Sequence, residues 1–289
     1  MPTAPVNGIE IYYEQHGDPA HPALLLISGL GAQITGWDAG FLEKLSGAGF
    51  FVTAFDNRDV GLSSWLDHFG MPDAGRILTG EEASPYLLSD MARDAAELVR
   101  YLNLGPVHVV GVSMGGMIAQ QFAIDHPELT TTLTSVMSTP NANEVGQPEP
   151  EILVMMLTPR SDDFEEFMVQ ELDAWRRTSG PGYPINETWV RQQAAAAWER
   201  GRNPQGVMRQ MAAIVQSPDR RPLLAAVTVP SLVMHGDSDP LVTYPGGEAT
   251  AAALPNATFV TYPGLGHSMP EVLWDDMIAQ IVTVSQRSS

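Results

Sequence analysis

No cysteine occurs anywhere in the 289-residue chain. That excludes disulfides, thiol nucleophiles and thiolate metal sites. Basic residues are scarce: 15 Lys and Arg stand against 34 Asp and Glu, a formal net charge of -19. A nucleic-acid partner needs a basic footprint that this balance denies. Anionic membranes and anionic substrates would be repelled at long range. No apolar run is long enough to span a bilayer. Residues 1–5 also lack the basic start and apolar stretch of a secretory signal. The expectation is a cytoplasmic protein with no membrane or nucleic-acid partner. No His-Glu-x-x-His or comparable ligand spacing occurs, so neither metal nor cofactor is expected.

What is present is apolar and patterned. Hydrophobic residues make up 44% of the chain and charged residues 17%, enough to bury a sizeable core. Asn7-Gly8 precedes an alternating run at 9–14, a hairpin signal. Residues 23–27 (Ala-Leu-Leu-Leu-Ile) are continuously apolar, as a strand buried on both faces requires. Residues 50–55 read as the next buried strand. Helical spacing appears at 37–45 and at 85–104, where Leu88, Met91, Ala95, Leu98 and Leu102 recur. Strands at 107–110 and 132–137 flank a helical pattern that starts at Met117 and runs to Pro127.

From 139 to 226 the strand pattern stops. Helical stretches at 162–177, 187–202 and 204–216 replace it, the first two separated by the breaker run Ser179-Gly180-Pro181-Gly182. Strands resume at 229–235 and 258–262, with helices at 247–254 and from 271. Strands alternating with helices imply a mostly parallel sheet covered on both faces. Residues 1–138 and 227–289 then form the core, and 139–226 an inserted helical cap. An insertion at that point sits over the carboxyl ends of the strands, where such sheets bind ligands. A helical appendage that only adds core is the alternative.

Gly111-Val112-Ser113-Met114-Gly115-Gly116 lies between a β-branched strand and a helix, the context of a nucleophile elbow. A serine on so sharp a turn leaves no room for side chains two residues either side, and Gly111 and Gly115 supply none. A glycine-rich turn that merely packs tightly would look the same. A serine hydroxyl needs a base, and the base an orienting acid. His267 follows the last strand in a glycine-rich loop, with His235 at a strand end as its rival. Asp239 is the preferred acid, because Pro240 fixes the turn behind it. Asp237, better suited to capping the loop backbone, is the alternative. The oxyanion would be held by the backbone N–H groups of Met114, first on the elbow helix, and Leu30 in the Ser28-Gly29-Leu30-Gly31 loop.

With these motifs in place the whole chain resembles the α/β-hydrolase fold family. The loop Asp56-Asn57-Arg58-Asp59-Val60-Gly61-Leu62-Ser63 matches the family's Asp-x-Arg-x-x-Gly-x-Ser motif. Its Arg-Asp pair resembles the aclacinomycin-methylesterase-like subgroup of esterases. The resemblance implies an eight-stranded, mostly parallel sheet with a helical cap. It also implies a Ser-His-Asp triad that hydrolyses a carboxylic ester through an acyl-enzyme. Ser28 stands where the family often carries histidine. A serine at the elbow separates this chain from the dehalogenases and epoxide hydrolases, which use aspartate there. Carbon–carbon bond hydrolases and cofactor-free haloperoxidases or perhydrolases share the triad and stay open.

Two further readings compete. Gly29-Leu30-Gly31 after a strand, with Asp56 ending the next, approaches a dinucleotide fingerprint that lacks its third glycine. A ligand-binding receptor on a hydrolase fold is the non-enzyme alternative. For a small, hydrophobic, neutral ester the pocket candidates are Trp37, Met155, Trp175, Trp189, Met208, Leu241 and Met269.

Overall fold

The apolar run at 23–27 is a strand that serves two layers at once. In the computed structural model, which describes residues 2–288, Leu24 and Leu26 pack into one hydrophobic cluster and Leu25 and Ile27 into another. Side chains alternate across a strand, so a run buried on both faces must be apolar throughout. Met1 and Ser289, the outer bounds of the expected core, lie outside the described residues.

The sheet contains β1 (Thr3–Val6), β2 (Ile9–His16), β3 (Ala23–Ile27), β4 (Phe51–Phe55), β5 (Val107–Val112), β6 (Thr130–Val136), β7 (Ser231–Gly236) and β8 (Ala257–Tyr262). Their order is β1-β2-β4-β3-β5-β6-β7-β8. β1 pairs with β2, and β2 with β4, antiparallel; the remaining neighbours are parallel. The β1–β2 turn places Asn7 and Gly8 at φ 49° and 79°. Two consecutive positive φ values are what a tight two-residue hairpin demands.

The helices are α1 (Ala39–Gly47), α2 (Ala74–Thr79), α3 (Leu88–Tyr101), α4 (Met114–Asp125), α5 (Pro150–Leu157) and α6 (Phe164–Thr178). After them come α7 (Glu187–Arg200), α8 (Pro204–Gln216), α9 (Arg221–Leu224), α10 (Pro245–Ala253) and α11 (Trp274–Ser285). Phe41, Leu42 and Leu45 of α1 share the Leu24–Leu26 cluster with Met277, Ile278 and Ile281 of α11. Helices α3 and α4 cover the opposite face through Met91, Ala95, Leu98, Ile118 and Phe122. The chain is thus an α/β protein with a mixed, mostly parallel eight-stranded sheet.

Some elements differ from what the sequence pattern predicts. α3 starts at Leu88 instead of 85, where the Asp90 carboxylate accepts the Leu87 N–H at 2.9 Å. The elbow helix begins at Met114, three residues earlier than its apolar spacing suggested, because Gly115 and Gly116 carry no hydrophobic signal. α2 and α5 were not foreseen: six and eight residues are too short to display a helical period.

Helices α5 to α9 all lie between β6 and β7. Buried charges tie this stretch to the sheet's loops. Arg209 on α8 forms a two-pronged ion pair with Asp59, Nε to Oδ2 at 2.9 Å and Nη2 to Oδ1 at 2.7 Å. Arg200, the last residue of α7, pairs with Asp56. Both partners belong to the loop at 56–63. Its own Arg58 grips Asp94 of α3 at 2.6 and 2.7 Å.

Candidate active site

Ser113 stands between the last residue of β5 and the first of α4, with φ 56° and ψ -123°. Non-glycine residues avoid that region, and its occupation marks a strained turn held by its surroundings. The Ser113 N–H donates to the Val136 carbonyl at 2.9 Å, and its own carbonyl accepts from Ser138 Oγ at 2.8 Å. The flanking glycines show why no other residue fits. A Cβ on Gly111 would lie 2.0 Å from the Gly115 carbonyl oxygen. One on Gly115 would lie 2.0 Å from the Ile27 carbonyl oxygen. Gly115 is therefore the close approach between elbow helix and β3, while Gly116 packs against Ser138.

His267 and Asp239 meet directly. Their rings and carboxyl groups come from the loops after β8 and β7, yet His267 Nδ1 lies 2.7 Å from Asp239 Oδ2. A carboxylate accepts, so Nδ1 is the donor, and in the neutral ring Nε2 is then left with its lone pair. The Asp239 side chain is fully buried. Its other oxygen accepts the N–H groups of Leu241 and Val242 at 2.8 and 3.0 Å. Asp237 does something else: Oδ1 accepts the Gly264 N–H at 2.7 Å and the Ser238 hydroxyl at 2.9 Å. It braces the histidine loop and does not touch the ring.

His235, the rival base, is buried beneath Asp239 with Nε2 3.6 Å from Oδ2. Nε2 is 2.8 Å from the Val242 carbonyl, which requires it to be the donor. Burial holds its imidazole below the ordinary histidine range. Closed in and committed to a backbone acceptor, it has no path to a substrate. Ser113 Oγ and His267 Nε2 make no hydrogen bond with each other among the described residues.

The Ser28–Gly31 loop lies beside Ser113: a Cβ on Gly29 would come within 3.2 Å of the Ser113 Cβ. The N–H groups of Leu30 and Met114 donate to no acceptor among the described residues. The loop itself is heavily braced. Trp37 Nε1 donates to Ser28 Oγ at 2.9 Å, and Asn57 Nδ2 to the Ser28 carbonyl at 3.0 Å. Gln210 of α8 accepts the Gly31 N–H at 2.9 Å and donates to the Arg58 carbonyl at 2.7 Å. Trp37 is thus buried beneath the loop as a brace. Gln210 escaped the sequence reading because nothing local marks a helical glutamine as a loop support. Asp56 accepts the Ile34 and Leu62 N–H groups at 2.6 and 2.9 Å and pairs with Arg200. It has no free oxygen for a ribose, which removes the dinucleotide reading.

The other pocket candidates scatter. Trp175 and Trp189 meet edge to face at 5.3 Å, and Trp189 Nε1 donates to Asp38 at 2.7 Å, next to Trp37. Leu241 and Met269 flank Asp239 and His267 by two residues each, Met269 packing on the α1–α11 cluster. Met155 is half-buried on α5. Met208 lines a groove with Ile77, Leu153 and Met211. That helix face differs from the one carrying Val207 and Gln210, which touch Gly31.

The strand order and the Ser, Asp and His loops at strand ends lead to one class. The chain belongs to the α/β-hydrolase family, whose model, described as alpha/beta hydrolase fold, matches residues 22–272. It is 30% identical to the rhodomycin D methylesterase DauP of Streptomyces sp. (strain C5), over 97% of each chain. It is 28% identical to the rhodomycin D methylesterase DnrP of Streptomyces peucetius, again over 97% of each. Among solved structures, an esterase from Rhodococcus sp. superposes with a TM-score of 0.76 at 19% identity, covering 99% of this chain and 98% of that one. No described helix is long and apolar enough to cross a membrane.

Proposed function

We propose that this hydrolase is a serine carboxylesterase acting on hydrophobic, neutral esters, methyl esters foremost. The observation that carries the reading is a strained Ser113 at the end of β5 combined with a buried carboxylate holding His267 in the tautomer a base needs. His267 Nε2 takes the proton of Ser113 Oγ as Oγ bonds to the ester carbonyl carbon. The carbonyl π pair moves onto oxygen, where the N–H groups of Leu30 and Met114 stabilise it. Collapse expels the alkoxide, which leaves with the proton from His267. Water then attacks the acyl-enzyme, giving its proton to His267, and the acid departs as the proton returns to Ser113. Asp239 steadies the imidazolium in both halves. The serine-to-histidine hydrogen bond forms as substrate binds, a tightening common in enzymes whose free state leaves it open.

In this reading residues 139–226 act as the cap and select the ester, with Trp175 and Trp189 over the Trp37 loop as its aromatic wall. The two methylesterase relatives support methanol as the leaving alcohol. The charge of -19 supports a substrate without negative charge. The test is chemical. An activated phosphonate should label Ser113 covalently, and p-nitrophenyl esters should release p-nitrophenol. Ser113→Ala should abolish both, and a variant that turned over near the wild-type rate would overturn the assignment. Failure of phosphonate to label any residue would favour a receptor. A panel of methyl esters graded by acyl ring content then identifies the preferred acid.

A further inference from the structure

The breaker run at 179–182 reads in the sequence as punctuation between two helices. In the structure it is docked, backbone to backbone, on the loop that carries His267. The His267 N–H donates to the Thr178 carbonyl at 2.6 Å, and the Gly266 N–H to the Ser179 carbonyl at 2.8 Å. The Gly182 N–H returns a bond to the Gly264 carbonyl at 2.8 Å. Thr178 ends α6 and Ser179 caps it, so the first two acceptors are carbonyls that a helix leaves without internal partners. The histidine loop supplies the missing donors.

The fit tolerates no side chains. Gly180 has φ 81°, and a Cβ there would lie 2.4 Å from the Gly266 nitrogen. A Cβ on Gly266 would lie 2.1 Å from the Thr178 carbonyl oxygen. On its other side the same loop is held by the core. Ser238 N–H donates to the Leu265 carbonyl at 3.0 Å, and Asp237 accepts from Gly264. The loop is therefore sandwiched, with the core on one side and the α6–α7 turn on the other.

We propose that residues 178–182 are a positioning element for the catalytic base, Gly180 being its key residue. This rests on the reading of His267 as that base. The backbone of His267 is set by the helical insertion, and its ring by Asp239 of the core. The two grips together fix where Nε2 points.

The test compares Gly180→Ala with Phe167→Ala. Phe167 packs in the small cluster between α6 and α7, remote from the turn, and its truncation loosens the insertion without touching the histidine loop. With p-nitrophenyl acetate, Gly180→Ala should lower kcat by about 10- to 100-fold, the cost of misplacing a reacting group by the order of an ångström. KM should barely move. The deshielded proton NMR resonance of the His267–Asp239 hydrogen bond should shift or broaden in the same variant. Phe167→Ala should lower the melting temperature at least as much, while keeping that resonance and a kcat near wild type. A folded Gly180→Ala with wild-type kcat and resonance overturns the inference. So does an equal loss of kcat in both variants with the resonance unchanged in each. Failure of the underlying reading looks different, since His267→Ala would then keep wild-type turnover.

Discussion

Asp239 divides its carboxylate between two tasks: Oδ2 meets His267 Nδ1 at 2.7 Å, and Oδ1 ties down the Leu241 and Val242 amides. Asp239→Asn keeps the shape and can keep the second task. Its amide NH2, however, turned toward the ring, would force the proton onto Nε2 and leave no lone pair for Ser113. On the proposed mechanism kcat falls about 10⁴-fold. Asp237→Asn removes only a brace and keeps turnover within about tenfold. Steady-state kinetics on both variants decide between the two aspartates, and the reverse ranking would reassign the acid.

Gln210 joins the insertion to the loop that presents the Leu30 amide. Gln210→Ala leaves the Gly31 N–H and the Arg58 carbonyl without these partners, at a cost of about 1–3 kcal/mol for each group left dry. The loop then loses its fixed position, and kcat should drop by about tenfold or more while phosphonate still labels Ser113 slowly. Denaturant titration alongside kinetics checks both parts. A destabilised variant with unchanged kcat would show that the loop needs no such support.

Arg209 and Asp59 are both completely buried, and Asp59 also accepts the Tyr86 hydroxyl at 2.8 Å. Arg209→Met strands a carboxylate in the interior and should cost about 3–5 kcal/mol of unfolding free energy. Adding Asp59→Asn to it should recover part of that loss, because the stranded charge is gone. Urea unfolding of the single and double variants measures the difference. A double variant as unstable as the sum of both singles would mean that the charges do not compensate each other.

Burial holds His108 and His235 below the ordinary histidine value of 6.5. Above that pH both rings are neutral in the folded and the unfolded chain, and their contribution is constant. As the pH falls through 6.5 the unfolded chain binds protons that the folded chain refuses, so stability drops. Each ring contributes a slope of up to about 1.4 kcal/mol per pH unit until it titrates in the folded state as well. His108→Gln removes one of them. The stability difference, wild type minus variant, should therefore shrink as the pH is lowered from 7.5 to 5.5. A difference independent of pH would contradict the assignment.

Much of this molecule was legible in one dimension because its signals are local. An unbroken apolar run announced β3, since a strand covered on both faces leaves little room for a polar side chain; β4 follows the same pattern except at Thr53, whose hydroxyl is bonded by Gln15. Glycines flanking Ser113 marked a turn too tight for a Cβ. The order serine, aspartate, histidine, each just after a strand, pointed to loops gathered at one edge of a parallel sheet. Short α2 and α5 were illegible for the converse reason, having too few turns to repeat a pattern.

What only the tertiary structure decided concerns residues far apart in the chain. In sequence, Pro240 only favours Asp239 over Asp237; their contacts become distinct once β7 and β8 lie side by side and one carboxylate turns inward. Gln210 becomes a loop brace because α8 packs beside Arg58 and Gly31. The run Ser179-Gly180-Pro181-Gly182 reads as a helix breaker, yet its glycines are also needed for contact with a loop more than eighty residues later. Local propensity records the conformation a segment can adopt. It does not record which distant backbone will come within hydrogen-bond range, and that is where the surroundings of His267 were settled.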